Sequence, residues 1–380
     1  MRRLKVAFLL PTLSGGGAER ASALMASALD PEVFDALVIL ERPGAPAYQV
    51  SATVTVERLG VDRSRQTIYP LARMLQRERP DVLYSALPHL NILAAIASRF
   101  VRPRPRLIVS VHSNQASELA SVRNGRVMRL VMPWVYRSAD SIVAVSRGIE
   151  GELRAVVGDR PKLRMIHDPL DVRAIQALAA EDPHHPWFDP SLELISAVGR
   201  LSREKGFLTL LEAFRVVHRT RGNARLMILG EGPQRPELLG AVERLGLGSA
   251  VQLIGFQKNP FAYLARSTCY VLSSDWEGFG MAIVEAMASG TAVLATDCQF
   301  GPAEILNNGE FGLMAKPGSI DGLANGMLRL IDDRALRHEL IEKGARRAMD
   351  FDVTAVVPRY AALFEEMSGR RSFRATGSAR

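Results

Sequence analysis

Cysteine is scarce in this sequence: 380 residues contain two, Cys269 and Cys298, and each lies in an apolar, strand-like segment. Two cysteines in such settings exclude a disulfide framework and a cysteine-based zinc site. We therefore expect both to be small core residues, in a protein of the reducing cytoplasm.

Long hydrophobic runs are also missing, and no stretch reaches the roughly 18 apolar residues that a membrane-spanning helix needs. The start, MRRLKVAFLLP, has the basic residues and the apolar run of a signal peptide, but Pro11 interrupts the run and no small-residue cleavage site follows. We interpret it as a buried first strand, and we expect any membrane contact to be peripheral.

Acidic residues are in short supply in the first half only. Residues 1–175 carry 25 lysines and arginines against 16 aspartates and glutamates, whereas the remainder carries 23 against 24. A basic half fits an anionic partner, such as a membrane surface, a phosphorylated substrate or nucleic acid. Because the sequence has no nucleic-acid recognition module, we expect no nucleic-acid partner.

Short apolar runs alternate with helical patterns along the whole chain, which predicts βα units and parallel sheets in an α/β protein. The polar, proline-rich segment 179–191 is typical of a linker. We predict two Rossmann-like domains, 1–178 and 192–350, that face each other across a central cleft. A further helix is expected at about 353–367, with its place on the first domain.

Three consecutive glycines, Gly15, Gly16 and Gly17, follow the first predicted strand, and a helix opens near Ala18. Glycine lets the backbone approach a ligand closely, and a helix N-terminus offers unpaired N–H groups and partial positive charge. This combination suits a phosphate or a sugar. The spacing differs from the G-x-G-x-x-G dinucleotide fingerprint, and a tight βα turn is the alternative.

A second loop, VGRLSREKG, places Arg200 and Lys205 after the first strand of the second half, beside a helix start. Cations at the carboxyl end of a strand in an open α/β sheet form an anion site. The alternative is that all charges of this stretch lie on the surface. The turn Gly230-Glu231-Gly232 after the next strand is a weak signal on its own.

Glu277 and Glu285 flank a glycine-rich stretch in EGFGMAIVE. On one continuous helix the two side chains would point about 80° apart and lie about 12 Å apart along the axis, which excludes an acid/base pair. If the glycines form a turn, Glu277 lies in a loop, Glu285 lies in the helix, and both face one ligand. The alternatives are a solvated loop residue and a carboxylate that favours a helix N-terminus.

His112 ends the strand-like segment IVSVH, where cleft residues of such sheets lie, so it is a catalytic candidate, although a lone histidine is often structural. Asp350-Phe351-Asp352 has the D-x-D spacing of metal-dependent transferases, but it lies beyond both predicted sheets, so we expect it on the surface. No other cluster has metal-ligand spacing, and we expect no metal.

Taken in order, these motifs resemble the retaining glycosyltransferase family 4, which has the GT-B fold. The resemblance covers nearly the whole chain, and GGGAER at its start is similar to members that build bacterial surface polysaccharides, lipopolysaccharide or lipid-linked oligosaccharides. One departure is HDPLD at 167–171, where many relatives have an Asn-Gly-Val-Asp-like turn. The most specific matches are Arg200…Lys205, Gly230-Glu231-Gly232, the E-x7-E of Glu277 and Glu285, and GPAEIL at Gly301–Leu306.

The resemblance implies a hexosyltransferase-type reaction with retention, from a nucleotide-sugar donor (a UDP-sugar by preference) to a saccharide or polyprenyl-linked acceptor, with no cofactor. It implies that Arg200 and Lys205 hold the diphosphate in place of a metal. Glu285 would bind the ribose, Glu277 would orient the sugar, and His112 would approach the sugar from the first domain. The implied donor-binding residues also include Gly15, Gly16, Gly17, Gly230, Glu231, Gly278, Phe279, Gly280 and Met281.

One predicted helix, in RNGRVMRLVMPWVYR, carries arginines on one face and apolar residues on another. Basic amphipathic helices with aromatic residues bind anionic membrane surfaces, here the inner face of the cytoplasmic membrane. The alternative is a core-packed helix with a solvated arginine face. The arginines are Arg123, Arg126 and Arg129, supported by Arg99, Arg102, Arg104 and Arg106, and the apolar residues are Val127, Leu130, Val131 and Trp134.

Other functions stay open because a fold alone does not settle function. A nucleotide-sugar epimerase or a sugar phosphorylase would use the same fold, but the paired glutamates with Arg200 and Lys205 favour transfer, and no lysine context indicates a pyridoxal site. A non-catalytic nucleotide-binding or membrane-scaffold protein would bind a nucleotide tightly without turnover.

Overall fold

The chain divides into two compact units in a computed structural model. Unit 1 comprises Met1–Leu170 and Val353–Arg380, and unit 2 comprises Asp171–Asp352. Residues 171–178, which the sequence analysis placed in the first domain, belong to unit 2. Gly15 and Arg123, both named above, lie outside the described residues. The structure describes residues 2–14, 16–46, 49–61, 63–114, 125–158 and 162–369.

Unit 1 is built on a seven-stranded parallel sheet with the strand order β3-β2-β1-β4-β5-β6-β7. Its central strands are largely apolar because helices cover both faces of a parallel sheet, whereas the edge strands β3 and β7 are partly exposed. The strands are β1 (Leu4–Leu10), β2 (Phe34–Leu40), β3 (Thr55–Arg58), β4 (Val82–Ser85), β5 (Arg106–Val111), β6 (Ser141–Ala144) and β7 (Leu163–Met165).

Helices of unit 1 follow the strands, and one arrives from the far end of the chain. They are α1 (Gly17–Ala28), α2 (Ile68–Glu78), α3 (Pro88–Ala97), α4 (Gly125–Ser138), α5 (Arg147–Val157) and α14 (Val353–Ser368).

The helix α14 packs into the core of unit 1. The ring of Phe364 lies 5.9 Å from that of Phe8 on β1 and 6.3 Å from that of Tyr84 on β4, edge to face in both cases. The backbone N–H of Val353 donates to the carbonyl of Leu170 at 2.7 Å, so the last helix begins where the first stretch of unit 1 ends.

Unit 2 is built on a six-stranded parallel sheet with the order β10-β9-β8-β11-β12-β13. The prediction of two parallel α/β sheets is therefore confirmed. The strands are β8 (Glu193–Val198), β9 (Ala224–Leu229), β10 (Val251–Gly255), β11 (Cys269–Leu272), β12 (Val293–Thr296) and β13 (Leu313–Ala315).

The helices of unit 2 cover this sheet, and α7 buries an apolar stripe that includes Phe207, Leu210, Leu211, Phe214 and Val217. The helices are α6 (Val172–Ala179), α7 (Phe207–Thr220), α8 (Arg235–Arg244), α9 (Phe261–Leu264), α10 (Met281–Ala288), α11 (Pro302–Ile305), α12 (Ile320–Asp332) and α13 (Arg334–Ala348).

Strand order reverses beside the first strand of each sheet. In unit 1, β1 lies between β2 and β4, and in unit 2, β8 lies between β9 and β11. Open α/β sheets bind ligands at the carboxyl ends of the strands at such a switch point. In unit 2 this brings the loops after β8 and β11 together, and these loops carry the predicted cations and Glu277.

The expected surface position of the D-x-D motif is wrong for one of its carboxylates. Asp352 is 3% exposed, and it accepts a hydrogen bond from the backbone N–H of Val172 at 3.1 Å. It thus binds an unpaired N–H group at the start of α6. Asp350 is paired with Arg347 at 2.7 Å.

Candidate active site

The loop after β8 is fastened to the loop after β11. Gly206 has a φ of +63°, and a Cβ atom there would lie 2.1 Å from the carbonyl oxygen of Ser273. The Ser273 hydroxyl donates to the carbonyl of Lys205 at 2.8 Å, and the Asp275 N–H donates to the carbonyl of Glu204 at 2.8 Å. Only glycine permits this close approach, which fixes the position of Lys205.

Lys205 and Glu277 form an ion pair at the centre of this arrangement. The Lys205 Nζ atom lies 2.6 Å from Glu277 Oε1, and the Ser274 hydroxyl donates to the same oxygen at 2.7 Å. The side chain of Glu277 is 10% exposed and that of Lys205 is 22% exposed. Glu277 is therefore not a solvated loop residue, since two donors hold its carboxylate in place.

Arg200 differs from Lys205 in having no acidic partner. Its side chain is exposed, and it makes no ion pair with any residue that the structure describes. It follows β8 by two positions, on the same loop as Lys205. A guanidinium with five N–H donors is thus left available beside the ion pair.

Gly230 and Gly232 allow the backbone to pack closely against the loop that carries Arg200. Gly230 has a φ of +136°, and a Cβ atom there would lie 1.9 Å from the carbonyl oxygen of Gly199. A Cβ atom on Gly232 would lie 2.4 Å from the carbonyl oxygen of Leu201. The side chain of Glu231, predicted to bind the donor, is paired with Arg235 at 3.0 Å.

The start of α10 has no side-chain cap. Its N-cap residue, Gly280, has a φ of +94° and no side chain with which to satisfy the N–H groups of the first turn. Gly278 and Phe279 are buried before it, and the Phe279 ring packs edge to face against Phe351 at 5.4 Å. The N–H groups of this turn carry the partial positive charge of a helix N-terminus.

Glu285 lies on α10 itself, and Glu277 lies in the preceding loop. This division between loop and helix is the one expected if the glycines form a turn. Glu285 is four residues past Met281, about 6 Å along the helix axis, and its side chain is partly buried. The two glutamates therefore lie on different elements, Glu277 in the loop after β11 and Glu285 on the helix that follows this loop.

Cys298 lies near Glu277, after β12. Burial, with a smaller contribution from the negative charge of Glu277, raises the pKa of its thiol to about 12. Burial also raises the pKa of Cys269 to about 12. Both are neutral thiols at physiological pH, as expected for core residues and not for nucleophiles.

In unit 1, His112 forms a buried pair with Asp168. The His112 Nδ1 atom lies 2.9 Å from Asp168 Oδ2, and the two side chains are 9% and 4% exposed. The other polar atoms of the pair, His112 Nε2 and Asp168 Oδ1, are buried without a hydrogen-bond partner among the described residues. Such atoms remain available to a ligand.

Glu19, in the first turn of α1, lies near this pair. Burial raises the pKa of its carboxyl, while its own backbone N–H and the charges of His112 and His89 lower it, and the balance is a raised pKa. Gly16 has a φ of +98°, and a Cβ atom there would lie 2.0 Å from the Glu19 carboxylate. Gly16 thus allows Glu19 to fold back over the start of α1.

Two comparisons with known families match almost complementary parts of the chain. Residues 16–169 match the glycosyl transferase 4-like domain, and residues 185–347 match the glycosyl transferases of group 1. The chain belongs to the GT-B glycosyltransferases of the family 4 type.

Individual glycosyltransferases resemble this one over most of their length. The N-acetylgalactosamine-N,N'-diacetylbacillosaminyl-diphospho-undecaprenol 4-alpha-N-acetylgalactosaminyltransferase of Campylobacter jejuni is 28% identical over 273 residues, 72% of this chain and 73% of that protein. The lipopolysaccharide core biosynthesis glycosyltransferase LpsE of Rhizobium meliloti is 28% identical over 363 residues, 92% of this chain and 95% of that protein.

A solved structure has the same fold as this glycosyltransferase. Anabaena Alr3699/HepE, solved in complex with UDP and glucose, superimposes with a TM-score of 0.80 at 22% identity. The match covers 96% of this chain and 100% of that chain.

Several site residues of this glycosyltransferase escaped the sequence reasoning. Asp168 was noted only as part of an unusual turn, and its position beyond the carboxyl end of β7 was the available signal. Ser274 and Glu19 were not singled out, although Glu19 belongs to GGGAER. Asp168 contacts His112, 56 positions away, the Ser274 hydroxyl donates to Glu277, and burial raises the pKa of Glu19; spacing alone reveals none of these features.

Within the described ranges, no group of three or more His, Cys, Asp or Glu side chains is arranged to hold a metal ion. None of the described helices combines the length and the apolar character that crossing a bilayer requires.

Proposed function

We propose that this glycosyltransferase moves a sugar from a UDP-sugar to a saccharide or polyprenyl-linked acceptor, with retention of configuration and without a metal. Its place would be the assembly of surface polysaccharide, lipopolysaccharide or a related glycan, at the inner face of the cytoplasmic membrane. The observation that carries the proposal is the Lys205–Glu277–Ser274 contact beside the unpaired Arg200 and the uncapped start of α10.

The cations of this half-site fit a diphosphate. Each would contribute about 4 kcal/mol of attraction to a phosphate at about 4 Å and an effective dielectric near 20, before desolvation. Arg200 is free to bind phosphate oxygens through two N–H groups, and Lys205 keeps further N–H donors beside its bond to Glu277. Together they would stabilise the charge that develops on the departing nucleotide, which is the task of a metal in other transferases.

The carboxylates fit the two sugars of the donor. Glu277 is held rigidly, so its carboxylate and the backbone groups from Gly278 to Met281 would bind hydroxyls of the transferred sugar and orient its anomeric carbon. Glu285 would accept hydrogen bonds from the ribose hydroxyls. Gly230 would keep the Arg200 loop in position through its contact with Gly199, a supporting role in place of direct donor contact.

The proposal also assigns roles to residues of unit 1. The buried Nε2 atom of His112, which lacks a described partner, would bind a hydroxyl of the sugar, and Asp168 would fix the imidazole ring through Nδ1. Gly16 and Gly17, at the start of α1, would offer backbone N–H groups to the phosphates.

The proposed chemistry breaks the bond between the anomeric carbon and the oxygen of the β-phosphate. The electron pair of that bond leaves with the phosphate oxygen, and the acceptor hydroxyl oxygen bonds to the anomeric carbon on the same face. The hydroxyl proton passes to the departing phosphate, so the products are a glycoside with retained configuration and UDP.

The names of similar proteins support the donor and the acceptor class. Anabaena Alr3699/HepE was solved with UDP and with glucose, and the Campylobacter jejuni relative is named for a diphospho-undecaprenol substrate. Relatives named for lipopolysaccharide core and amylovoran biosynthesis support an acceptor of the surface-glycan class.

The first test of this function is which nucleotide the protein binds. UDP, GDP and ADP would be titrated calorimetrically into the wild type, into Glu285→Ala, and into Glu342→Ala, an exposed control on α13. We expect UDP to bind preferentially, to lose about tenfold or more in affinity in Glu285→Ala, and to bind the control unchanged.

Turnover separates the alternatives. UDP-sugars incubated with polyprenyl-linked saccharides should yield a glycoside whose NMR coupling constants show the donor's anomeric configuration. An inverted product would refute retention, an epimerised UDP-sugar would establish the epimerase, and tight binding without any product would establish the non-catalytic protein.

A further inference from the structure

The outer face of α4 exposes large apolar side chains. Leu130 is 82% exposed and Val127 is 63% exposed, so neither belongs to the core. The buried side of α4 is formed by other residues, namely Gly125, Met132, Val135 and Tyr136. The sequence analysis left open a core-packed helix with a solvated arginine face. In the structure Val127 and Leu130 are exposed and do not pack in the core.

Arginines and apolar residues share this outer face. At 100° per residue, Arg126 and Arg137 lie on one edge, Val127 and Trp134 lie on the other, and Leu130 lies between them. Both arginines are exposed, and Trp134 is partly exposed. The face thus has a charged edge and an apolar edge side by side, which a helix packed only against protein does not need.

A neighbouring turn at 98–100 extends this face. The Arg99 guanidinium lies over the Trp134 ring, 5.0 Å from its centroid, and therefore joins the turn to α4. Phe100, the next residue, is 71% exposed. We call the surface formed by Phe100, Val127, Leu130 and Trp134, with the arginines around them, the α4 surface.

The arginines of the α4 surface are not neutralised by acids in the part of the chain that the structure describes. Arg104 and Arg106 are different, because both bind Asp140 at 3.0 Å. A local excess of cations next to exposed apolar groups is complementary to a surface that is anionic outside and apolar beneath. The exposed arginines without a described acidic partner are Arg99, Arg102, Arg126, Arg129 and Arg137.

We propose that the α4 surface binds an anionic phospholipid bilayer, with α4 lying in the plane of the membrane. Leu130, Val127 and Phe100 enter the boundary between headgroups and acyl chains, and the arginines contact lipid phosphates. A nucleic acid or another soluble polyanion would use the arginines but would gain nothing from the exposed aliphatic side chains. The inference goes beyond the proposed reaction and does not rest on it.

Vesicle sedimentation of the full chain tests the assignment. The probes are vesicles of phosphatidylcholine alone and vesicles with about 30% phosphatidylglycerol. We expect binding to the anionic vesicles and at least about tenfold weaker binding to the neutral ones. Equal binding to both, or binding to neither, overturns the proposal.

Three variants separate a membrane surface from a general polyanion surface. Val127→Gln with Leu130→Gln should weaken vesicle binding by about tenfold or more, because two exposed aliphatic groups no longer enter the bilayer. Leu130→Trp should strengthen it by about threefold, since tryptophan favours the interface. Leu239→Gln on α8, where the native side chain is 44% exposed, is the control and should change nothing.

A different set of results would identify a general polyanion site. Binding that survives Val127→Gln with Leu130→Gln, is lost in Arg126→Gln with Arg137→Gln, and is competed by an oligonucleotide would make the α4 surface a polyanion site and overturn the membrane assignment. Calorimetric titration of UDP into the same variants keeps the two questions apart, because the α4 surface variants should bind UDP as the wild type does.

Discussion

Among single residues, the contrast between Lys205 and Arg200 organises the proposed donor site. One cation is committed to Glu277 at 2.6 Å, and the other has no acidic partner among the described residues. A lysine already paired with a buried carboxylate is a fixed point charge, whereas a free guanidinium can close on a ligand. The two therefore have different tasks, although the sequence shows them only as two cations on one loop.

Asp168 is the residue whose proposed role follows most directly from geometry. Asp168→Asn keeps the volume but alters the hydrogen bond that orients His112, so we expect kcat to fall by about 10–100-fold while the UDP dissociation constant stays unchanged. Steady-state kinetics and calorimetry measure the two quantities separately.

The matched control is Asp171→Asn in the same turn. Asp171 caps α6 through the N–H of Ala174 at 2.8 Å, and asparagine caps a helix as well as aspartate does. Equal losses of kcat in both variants, or a loss of UDP binding in Asp168→Asn, would show that the Asp168 contact supports the fold alone.

Glu19 predicts a pH dependence of stability. Its pKa is raised above the ordinary value of 4.5 by burial, so the folded state holds this proton more tightly than the unfolded state does. The contribution of protonated Glu19 to stability is therefore full below pH 4.5 and is lost as the pH rises through the folded-state pKa.

Glu19→Gln removes this titration. Denaturant unfolding of both proteins across the acid-to-neutral range should show the stability of the wild type falling relative to Glu19→Gln as the pH rises. A constant difference between the two proteins, or one of opposite slope, would contradict the burial of the Glu19 carboxyl.

At the scale of elements, the two loops of the donor site depend on glycines that admit neighbouring backbone. Gly206→Ala forces a Cβ atom to within 2.1 Å of the Ser273 carbonyl at a φ of +63°. We expect it to lower the free energy of unfolding by about 1–3 kcal/mol and to weaken UDP binding, because the Lys205 loop must move.

Gly222→Ala is the control for this change. Gly222 lies in an exposed turn of unit 2, and a Cβ atom there would meet nothing within 4 Å. Denaturant unfolding and UDP calorimetry of the two variants give the comparison. A Gly206→Ala protein as stable as Gly222→Ala would mean that the β8 and β11 loops are not fastened together as described.

Elements were more predictable from the sequence than the contacts between them. The apolar runs of the central strands are visible in the sequence because both faces of a parallel sheet are buried. The stripe of α7 is visible because burial follows the helical period. In contrast, His112 and Asp168 are 56 positions apart and follow β5 and β7, which are not neighbours in the sheet. Asp352 likewise is buried and accepts a hydrogen bond from the N–H of Val172 at the start of α6, which its D-x-D spacing did not indicate.

The exposure of Leu130 is a further case. The helical period of α4 separates a basic edge from an apolar edge, and the sequence alone left open whether the apolar edge contacts a membrane or the core. The structure instead buries a third side of the helix, through Met132, Val135 and Tyr136. Tertiary packing therefore decides which face of an amphipathic helix is inward.

At the scale of the whole molecule, the division of charge matches the division of tasks that we propose. The first 175 residues carry the basic excess, and unit 1, which contains nearly all of them, presents the α4 surface and the His112–Asp168 pair. Unit 2 carries 19 lysines and arginines against 23 aspartates and glutamates, a small acidic excess. A basic unit fits an acceptor or membrane that is anionic. Binding of a nucleotide diphosphate to unit 2 would depend on the local cations Arg200 and Lys205 and not on the net charge of the unit.

The central claim is that unit 2 binds a nucleotide diphosphate with arginine and lysine where other transferases use a metal. Its most direct test is calorimetric titration of UDP and of UMP into the full chain in the presence of EDTA, for the wild type and for Arg200→Ala. We predict that UDP binds at least about tenfold more tightly than UMP, and that Arg200→Ala removes most of this difference. Equal binding of UDP and UMP by the wild type, or a preference for UDP that appears only when a divalent metal is added, would contradict the claim.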